Sequence, residues 1–198
     1  MNIGLTGGIA TGKSSVSAYL ASKGALLIDA DVIAREVMMP GHPVLAAAVK
    51  RFGQAILNED GTLDRKKLGS IVFEQPEERK ALEAITHPAI RREMRERAAA
   101  YALQHPDKLV VSDIPLLYES GLEDGFEEVM VVYVPRSVQR DRLMSRDGMT
   151  AAQAEARMDV QMDIERKKQL ADIVIDNSGL WPETEQQIDS YLQRKGLL

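Results

Sequence analysis

Ile3-Gly4-Leu5-Thr6-Gly7-Gly8-Ile9-Ala10-Thr11-Gly12-Lys13-Ser14-Ser15 decides how the rest of the chain is read. Gly7 to Ser14 fits G-x-x-x-x-G-K-[ST], the pattern of a phosphate-binding loop between a strand and a helix. The ligand dictates the residue types. A triphosphate is densely negative, so the loop must wrap it with backbone N–H groups, and Gly7, Gly8 and Gly12 permit that close approach. Lys13 brings a point charge to the β- and γ-phosphates, and Ser14 offers a hydroxyl ligand to Mg²⁺. Gly8, Ala10, Thr11, Gly12, Lys13, Ser14 and Ser15 are therefore expected around the phosphates of bound ATP. Residues 14–23 read as a helix with Val16, Tyr19 and Leu20 on one face and Gly24 as its stop. Its positive dipole end would lie beneath the phosphates.

At 198 residues the chain is long enough for one well-buried core with small appendages. A net charge of −5 argues against a general nucleic-acid binder, so a polyanionic ligand must meet a local basic site. With no cysteine there is neither a disulfide framework nor a thiolate metal site or nucleophile. No stretch resembles a signal peptide, and no apolar run reaches the length of a membrane span. The expected compartment is cytoplasmic.

Four further apolar runs resemble the first: Ala25-Leu26-Leu27-Ile28-Asp29, Leu109-Val110-Val111-Ser112-Asp113, Val129-Met130-Val131-Val132-Tyr133-Val134 and Ile173-Val174-Ile175-Asp176. Apolar at successive positions, they suit strands covered on both faces, and helical segments separate them. The fold class is thus α/β, a five-stranded parallel sheet flanked by helices, with ligands gathering at the carboxyl ends of the strands. Residues 33–107, between the second and third runs, are helical in character and far exceed an ordinary crossover. Val44, Leu45, Ala48, Val49 and Phe52 follow helical spacing, as do Leu68, Ile71 and Val72 behind a cap at Asp64. Two more helices are expected over 76–85 and 88–104, the second with Ile90, Met94, Ala98 and Tyr101 inward. This helical insertion suits a platform for a second substrate.

Residues 136–168 turn basic, with Arg136, Arg140, Arg142, Arg146, Arg157, Arg166, Lys167 and Lys168. Ser137 and Thr150 read as caps of two helices that turn at Asp147-Gly148. One reading is a solvated hairpin whose arginines pair with Asp141, Asp147, Glu155 and Asp159. The other is a mobile lid that brings an arginine to the transferring phosphoryl group. Asp31, two residues past the second run, suits either a base at an acceptor hydroxyl or a helix N-cap. Asp29 and Asp31 can divide these roles. Asp113, ending an aliphatic run, has the form of a carboxylate that holds Mg²⁺ directly or through water. His42 and His105 precede proline in turns, His87-Pro88 reads as a helix opening, and no histidine pair has zinc spacing.

In order and spacing these motifs resemble the dephospho-coenzyme A kinase family over essentially the whole chain. The likeness rests on Gly4-Leu5-Thr6-Gly7-Gly8-Ile9 with Gly12-Lys13-Ser14, and on Asp29-Ala30-Asp31 followed by Ala34-Arg35. It continues through His87-Pro88-x-Ile90 and Asp113-x-Pro115-Leu116-Leu117-x-Glu119. It closes with Gln139-x-x-Arg142-x-x-x-Arg146-Asp147, Gln161 and Ala171-Asp172-x-Val174-Ile175-x-Asn177. Ala10 departs from the glycine common there.

The resemblance implies ATP-dependent phosphorylation of the ribose 3′-hydroxyl of dephospho-CoA, with Mg²⁺ as cofactor. It implies a nucleotide-binding core over 1–34, 108–135 and 169–198, a helical CoA domain over 35–107 and a lid over 136–168. Asp31 would be the base, Lys13 the phosphate clamp, and Arg142 or Arg146 the lid arginine. Asn177 would lie near adenine, and Arg35 and His87 toward dephospho-CoA. The expected partners are ATP and dephospho-CoA, without nucleic acid or membrane, in a monomer or small homo-oligomer. Two rivals are weaker. A nucleoside monophosphate or other small-molecule kinase would share the loop, the insertion and the lid, but the Asp-Gly-Phe-Pro-Arg usual in adenylate-kinase-like enzymes fails here, because Asp124-Gly125-Phe126 precedes Glu127. A GTP-dependent switch needs Asn-Lys-x-Asp, and no Asn-Lys pair occurs.

Overall fold

In the computed structural model, which describes residues 1–197, the apolar runs become strands: β1 Asn2–Gly7, β2 Leu26–Asp29, β3 Val110–Asp113, β4 Glu128–Tyr133 and β5 Ile173–Asp176. They form one five-stranded parallel sheet in the order β2-β3-β1-β4-β5. β1 is paired on both sides, with Leu5 opposite Asp113 of β3 and Met130 of β4. All of β3, and β1 and β4 past their first residues, are buried, so neither face of these strands meets solvent, and β4 carries an unbroken rather than an alternating apolar run. Helices α1 (Lys13–Ser22) and α9 (Trp181–Arg194) cover this core. Val16, Leu20, Ile188, Tyr191 and Leu192 pack with Ile3, Leu5, Val111, Met130 and Val132. Each large apolar side chain so buried contributes about 1.5–3 kcal/mol relative to exposure. Trp181 stands edge-on to Tyr19 with ring centroids 5.9 Å apart, joining the first turn of α9 to α1.

By internal contacts the chain divides into two units, Met1–Ile28 with Ala98–Leu198, and Asp29–Arg97. The second holds α2 (Ala30–Glu36), α3 (Pro43–Phe52), α4 (Arg65–Glu74) and most of α5 (Pro76–Gln104). Its helix starts are set by side chains. Asp29 accepts from the N–H groups of Asp31 and Val32 at 2.8 and 3.0 Å, His42 Nδ1 from Val44, and Asp64 from Lys67. The two helices expected over 76–85 and 88–104 are one helix of 29 residues with Pro88 inside it. Pro88 donates no N–H to the carbonyl one turn back, at Ala84, so the helix runs on without that bond. Buried Ala89 and Met94 hold the helix beyond it. His87 therefore lies mid-helix and opens nothing.

The basic stretch folds as α6 (Arg136–Asp147), α7 (Ala151–Met158) and α8 (Ile164–Leu170), one helix more than expected. Thr150 caps α7 in a full capping box with Gln153, and Gly148 ends α6 in the left-handed conformation. Ser137 caps nothing. The N-cap position of α6 is Pro135, and Ser137 lies within the first turn. Among the described residues no helix is long and apolar enough to cross a membrane.

Candidate active site

Gly7 ends β1, and Lys13 begins α1 five residues after Gly8. Gly12, at the N-cap of α1, has φ +87° and supplies no side-chain cap. The first N–H groups of α1 are thus left for an anion, and the helix dipole points its positive end the same way. Ser14 and Ser15 are exposed at this end, while Thr11 is buried. Thr11 stiffens the loop by donating from both its N–H and its hydroxyl to the carbonyl of Gly8, at 3.3 and 2.9 Å. Ala10 sits at φ +61°, the only non-glycine residue with positive φ among those described. That conformation costs an L-residue about 1–2 kcal/mol. The Ala10 methyl recovers part of it by packing against Leu143, Ala154 and Met158 of the hairpin.

Lys13 forms an ion pair with Asp113, whose side chain is 9% exposed at the end of β3. The pairing brings together the two groups expected to handle phosphate and metal. Asn177, just beyond β5, is buried against the loop. Its amide donates to the carbonyl of Thr11 at 2.8 Å and accepts from the Thr184 hydroxyl at 2.9 Å. Its own carbonyl accepts from Arg142 Nη2 at 2.8 Å. Arg142 is therefore fixed beside the loop, with Nη1 4.0 Å from where a Cβ on Gly12 would stand.

The other basic residues of the hairpin mostly answer acidic neighbours. Arg136 pairs with Glu155 and Asp159 at 2.6 Å each, and Arg140 with Asp141. Arg146 grips Asp147 with two bonds of 2.8 and 3.0 Å, and Arg157 shares that carboxylate. The solvated-hairpin reading holds for these four. Asp147 is held below the usual carboxylate range, chiefly by its bond to Arg146. Lys167 overturns the expectation of a solvated cation, because its side chain is 0% exposed. It lies one turn after buried Ile164 on the inward face of α8, a spacing that could have revealed it.

In the Asp29–Arg97 unit the N-cap of α2 is Asp29, so Asp31 is not the cap. Asp31 and Arg35 are both exposed on α2. His87 is half-buried and lines a groove of about 550 Å³ with Lys80, Glu83, Arg91 and Arg95. Sequence reading missed Thr184, which orients Asn177. It also gave no task to Gln139 and Gln161, which hold the carbonyl and N–H of Ile9 at 2.8 Å each. Nothing local marks a glutamine as a partner for a loop more than a hundred residues away.

A phosphate loop on the central strand, a buried acid at the end of the next strand and an arginine seated on the loop define a P-loop phosphotransferase. The chain belongs to the dephospho-CoA kinase family, whose sequence model, CoaE, matches residues 1–183. It is similar to the dephospho-CoA kinase of Anaeromyxobacter dehalogenans, 52% identical over 89% of this chain and 83% of that one. It is likewise similar to that of Shouchella clausii, 48% identical over 95% of both. Among solved structures it resembles a dephospho-CoA kinase from Campylobacter jejuni, with a TM-score of 0.77, 34% identity, and coverage of 100% of this chain and 98% of that one.

Proposed function

We propose that this chain transfers the γ-phosphoryl group of ATP to the ribose 3′-hydroxyl of dephospho-CoA, giving CoA and ADP, the last step of coenzyme A synthesis. The observation that carries the reading is the Lys13–Asp113 pair at an open helix N-terminus, in a chain that its family's model covers almost from end to end. The backbone N–H groups around Gly8 to Ser15 cradle the triphosphate. Lys13 exchanges the carboxylate of Asp113 for the β- and γ-phosphates, trading one anion for another. Arg142, already beside Gly12, meets the charge that spreads over the phosphoryl oxygens. Arg146 reaches phosphate only after releasing Asp147, and residues 136–168 act as the lid that carries both arginines.

Mg²⁺ fits this arrangement. Among the described residues no cluster of three or more His, Cys, Asp or Glu could cage a metal. That suits an ion taking most of its oxygens from phosphate and water. Ser14 and Asp113 would hold it, and it would supply neutralisation of the β,γ-oxygen charge. On the acceptor side Asp31 takes the proton of the 3′-hydroxyl. The hydroxyl oxygen bonds to the γ-phosphorus as the bond to the β,γ-bridging oxygen breaks, and ADP leaves. Arg35 and His87 serve dephospho-CoA, and the cationic groove beside His87 suits its diphosphate. Asn177 serves the nucleotide through its hold on Thr11.

The test is ADP release from ATP and Mg²⁺ with dephospho-CoA, AMP and shikimate offered separately, comparing wild type with Asp31→Asn. Turnover with dephospho-CoA alone is expected, falling on the order of a hundredfold or more in Asp31→Asn. Turnover with AMP or shikimate instead would overturn the choice of acceptor. Unimpaired turnover in the variant would remove Asp31 as the base.

A further inference from the structure

Lys167 belongs to no phosphate-binding motif, yet its ammonium is spent entirely on protein. It donates to the carbonyls of Gly7 and Pro115 at 3.2 and 3.0 Å and pairs with Glu119 at 2.9 Å. Three acceptors use all three donors of the group. Burial holds its pKa below the usual lysine value, against the opposing pull of Glu119. Stability alone does not call for this. A well-packed apolar pair of similar volume is often as stable as a buried ion pair, or more so.

What an apolar side chain cannot do is hold two carbonyls, and these two are well placed. Gly7 is the first residue of the phosphate loop, and Pro115 lies two residues past Asp113. The ladder between β1 and β3 reaches only to Leu5 opposite Asp113. Beyond it, Thr6 Oγ1 also donates to the Pro115 carbonyl, at 3.1 Å. Glu119, which holds the ammonium, also accepts from the N–H of Met162, where the chain approaches α8 from the hairpin.

We propose that Lys167 is a positioning residue for phosphoryl transfer: locked by Glu119, its ammonium sets the phosphate loop bearing Lys13 against the segment bearing Asp113. The foot of the hairpin is tied into the same knot. The catalytic half of this inference rests on the kinase reading, whereas its nucleotide-binding half does not.

The experiment compares wild type, Lys167→Arg, Glu119→Gln and the double variant Lys167→Met/Glu119→Leu, which removes both charges together. Thermal unfolding reports folding, calorimetry in EDTA reports ADP affinity, and steady-state rates report kcat and both KM values. The double variant is expected to bind ADP about 10-fold more weakly and to lose about 10- to 100-fold in kcat. Its KM for dephospho-CoA should stay within about twofold of wild type, and Lys167→Arg should recover most of both losses. A folded double variant with ADP affinity and kcat within about threefold of wild type overturns the proposal. Should the double variant not fold, Glu119→Gln decides, because it keeps shape and a hydrogen bond. A loss of more than about threefold in ADP affinity supports the proposal, and an unchanged affinity overturns it. Wild type that binds ADP but ignores dephospho-CoA would sink the acceptor assignment and leave the ADP comparison to judge Lys167.

Discussion

Gly12→Ala separates the conformational from the packing demands of the phosphate loop. Gly12 has φ +87°, and a Cβ there would run into the amide nitrogen of Asn177. Gly41 has almost the same φ, +88°, with nothing within 4 Å of its added Cβ. Gly41→Ala therefore suffers only left-handed strain, about 1–2 kcal/mol. Gly12→Ala suffers that strain and also drives Asn177 from the Thr11 carbonyl and the Thr184 hydroxyl. Stranding a buried amide and its partners costs about 1–3 kcal/mol more, for a total of about 2–5 kcal/mol. Urea unfolding followed by circular dichroism measures both losses, and calorimetry measures ADP affinity. Gly12→Ala should weaken ADP binding by about 10-fold or more, while Gly41→Ala leaves it unchanged. A Gly12→Ala protein no less stable than Gly41→Ala, with ADP affinity intact, would refute the claim that Asn177 braces the loop.

Three further outcomes are expected. Arg142→Lys, losing the Nη2 bond to the Asn177 carbonyl and the guanidinium that meets the transferring group, should lower kcat about 10-fold. Arg146→Lys should leave kcat within about twofold, because Arg146 is held on Asp147, and the opposite order in steady-state rates would reverse the assignment. Burial, with Asp172 and Glu123 nearby, pushes Tyr118 up to about 12, and its buried hydroxyl has no hydrogen-bond partner among the described residues. A raised acid contributes stability that is whole below the ordinary value near 10 and lost as pH rises through about 12. Tyr118→Phe should thus be neutral or stabilising at pH 7 and should flatten alkaline unfolding between about pH 10 and 12. A loss of more than about 1 kcal/mol at pH 7 would show that the hydroxyl has a partner.

Much of the nucleotide-binding half was legible because its signals are local. The loop motif, the apolar strands and the cap at Thr150 each act over a few residues, as does the cap at Asp64 in the other unit. The failures share a cause, namely that a neighbour distant in sequence or a shifted local role decides the outcome. Pro88 reads as a breaker, but the helix continues through it on the strength of buried Ala89 and Met94. Lys167 reads as one charge in a basic run until Glu119 and two carbonyls draw it inside. Asp29 and Asp31 are equally plausible caps by type, and only backbone geometry gives the role to Asp29. Ala10 looks interchangeable at a variable loop position, yet its φ is one that favours glycine.

The edge-on contact of Trp181 with Tyr19 has a practical use. Trp181 is the chain's only tryptophan, so ultraviolet emission excited at the red edge comes from one spot between α1 and α9. The Asp29–Arg97 segment carries no such fluorophore and is silent to that measurement. Far-ultraviolet dichroism, by contrast, reports helix from both units. Following denaturation by the two signals side by side asks whether the molecule melts as one cooperative body. Superimposed curves would mean that it does, and a dichroic change preceding the emission change would mean that the helical segment lets go first.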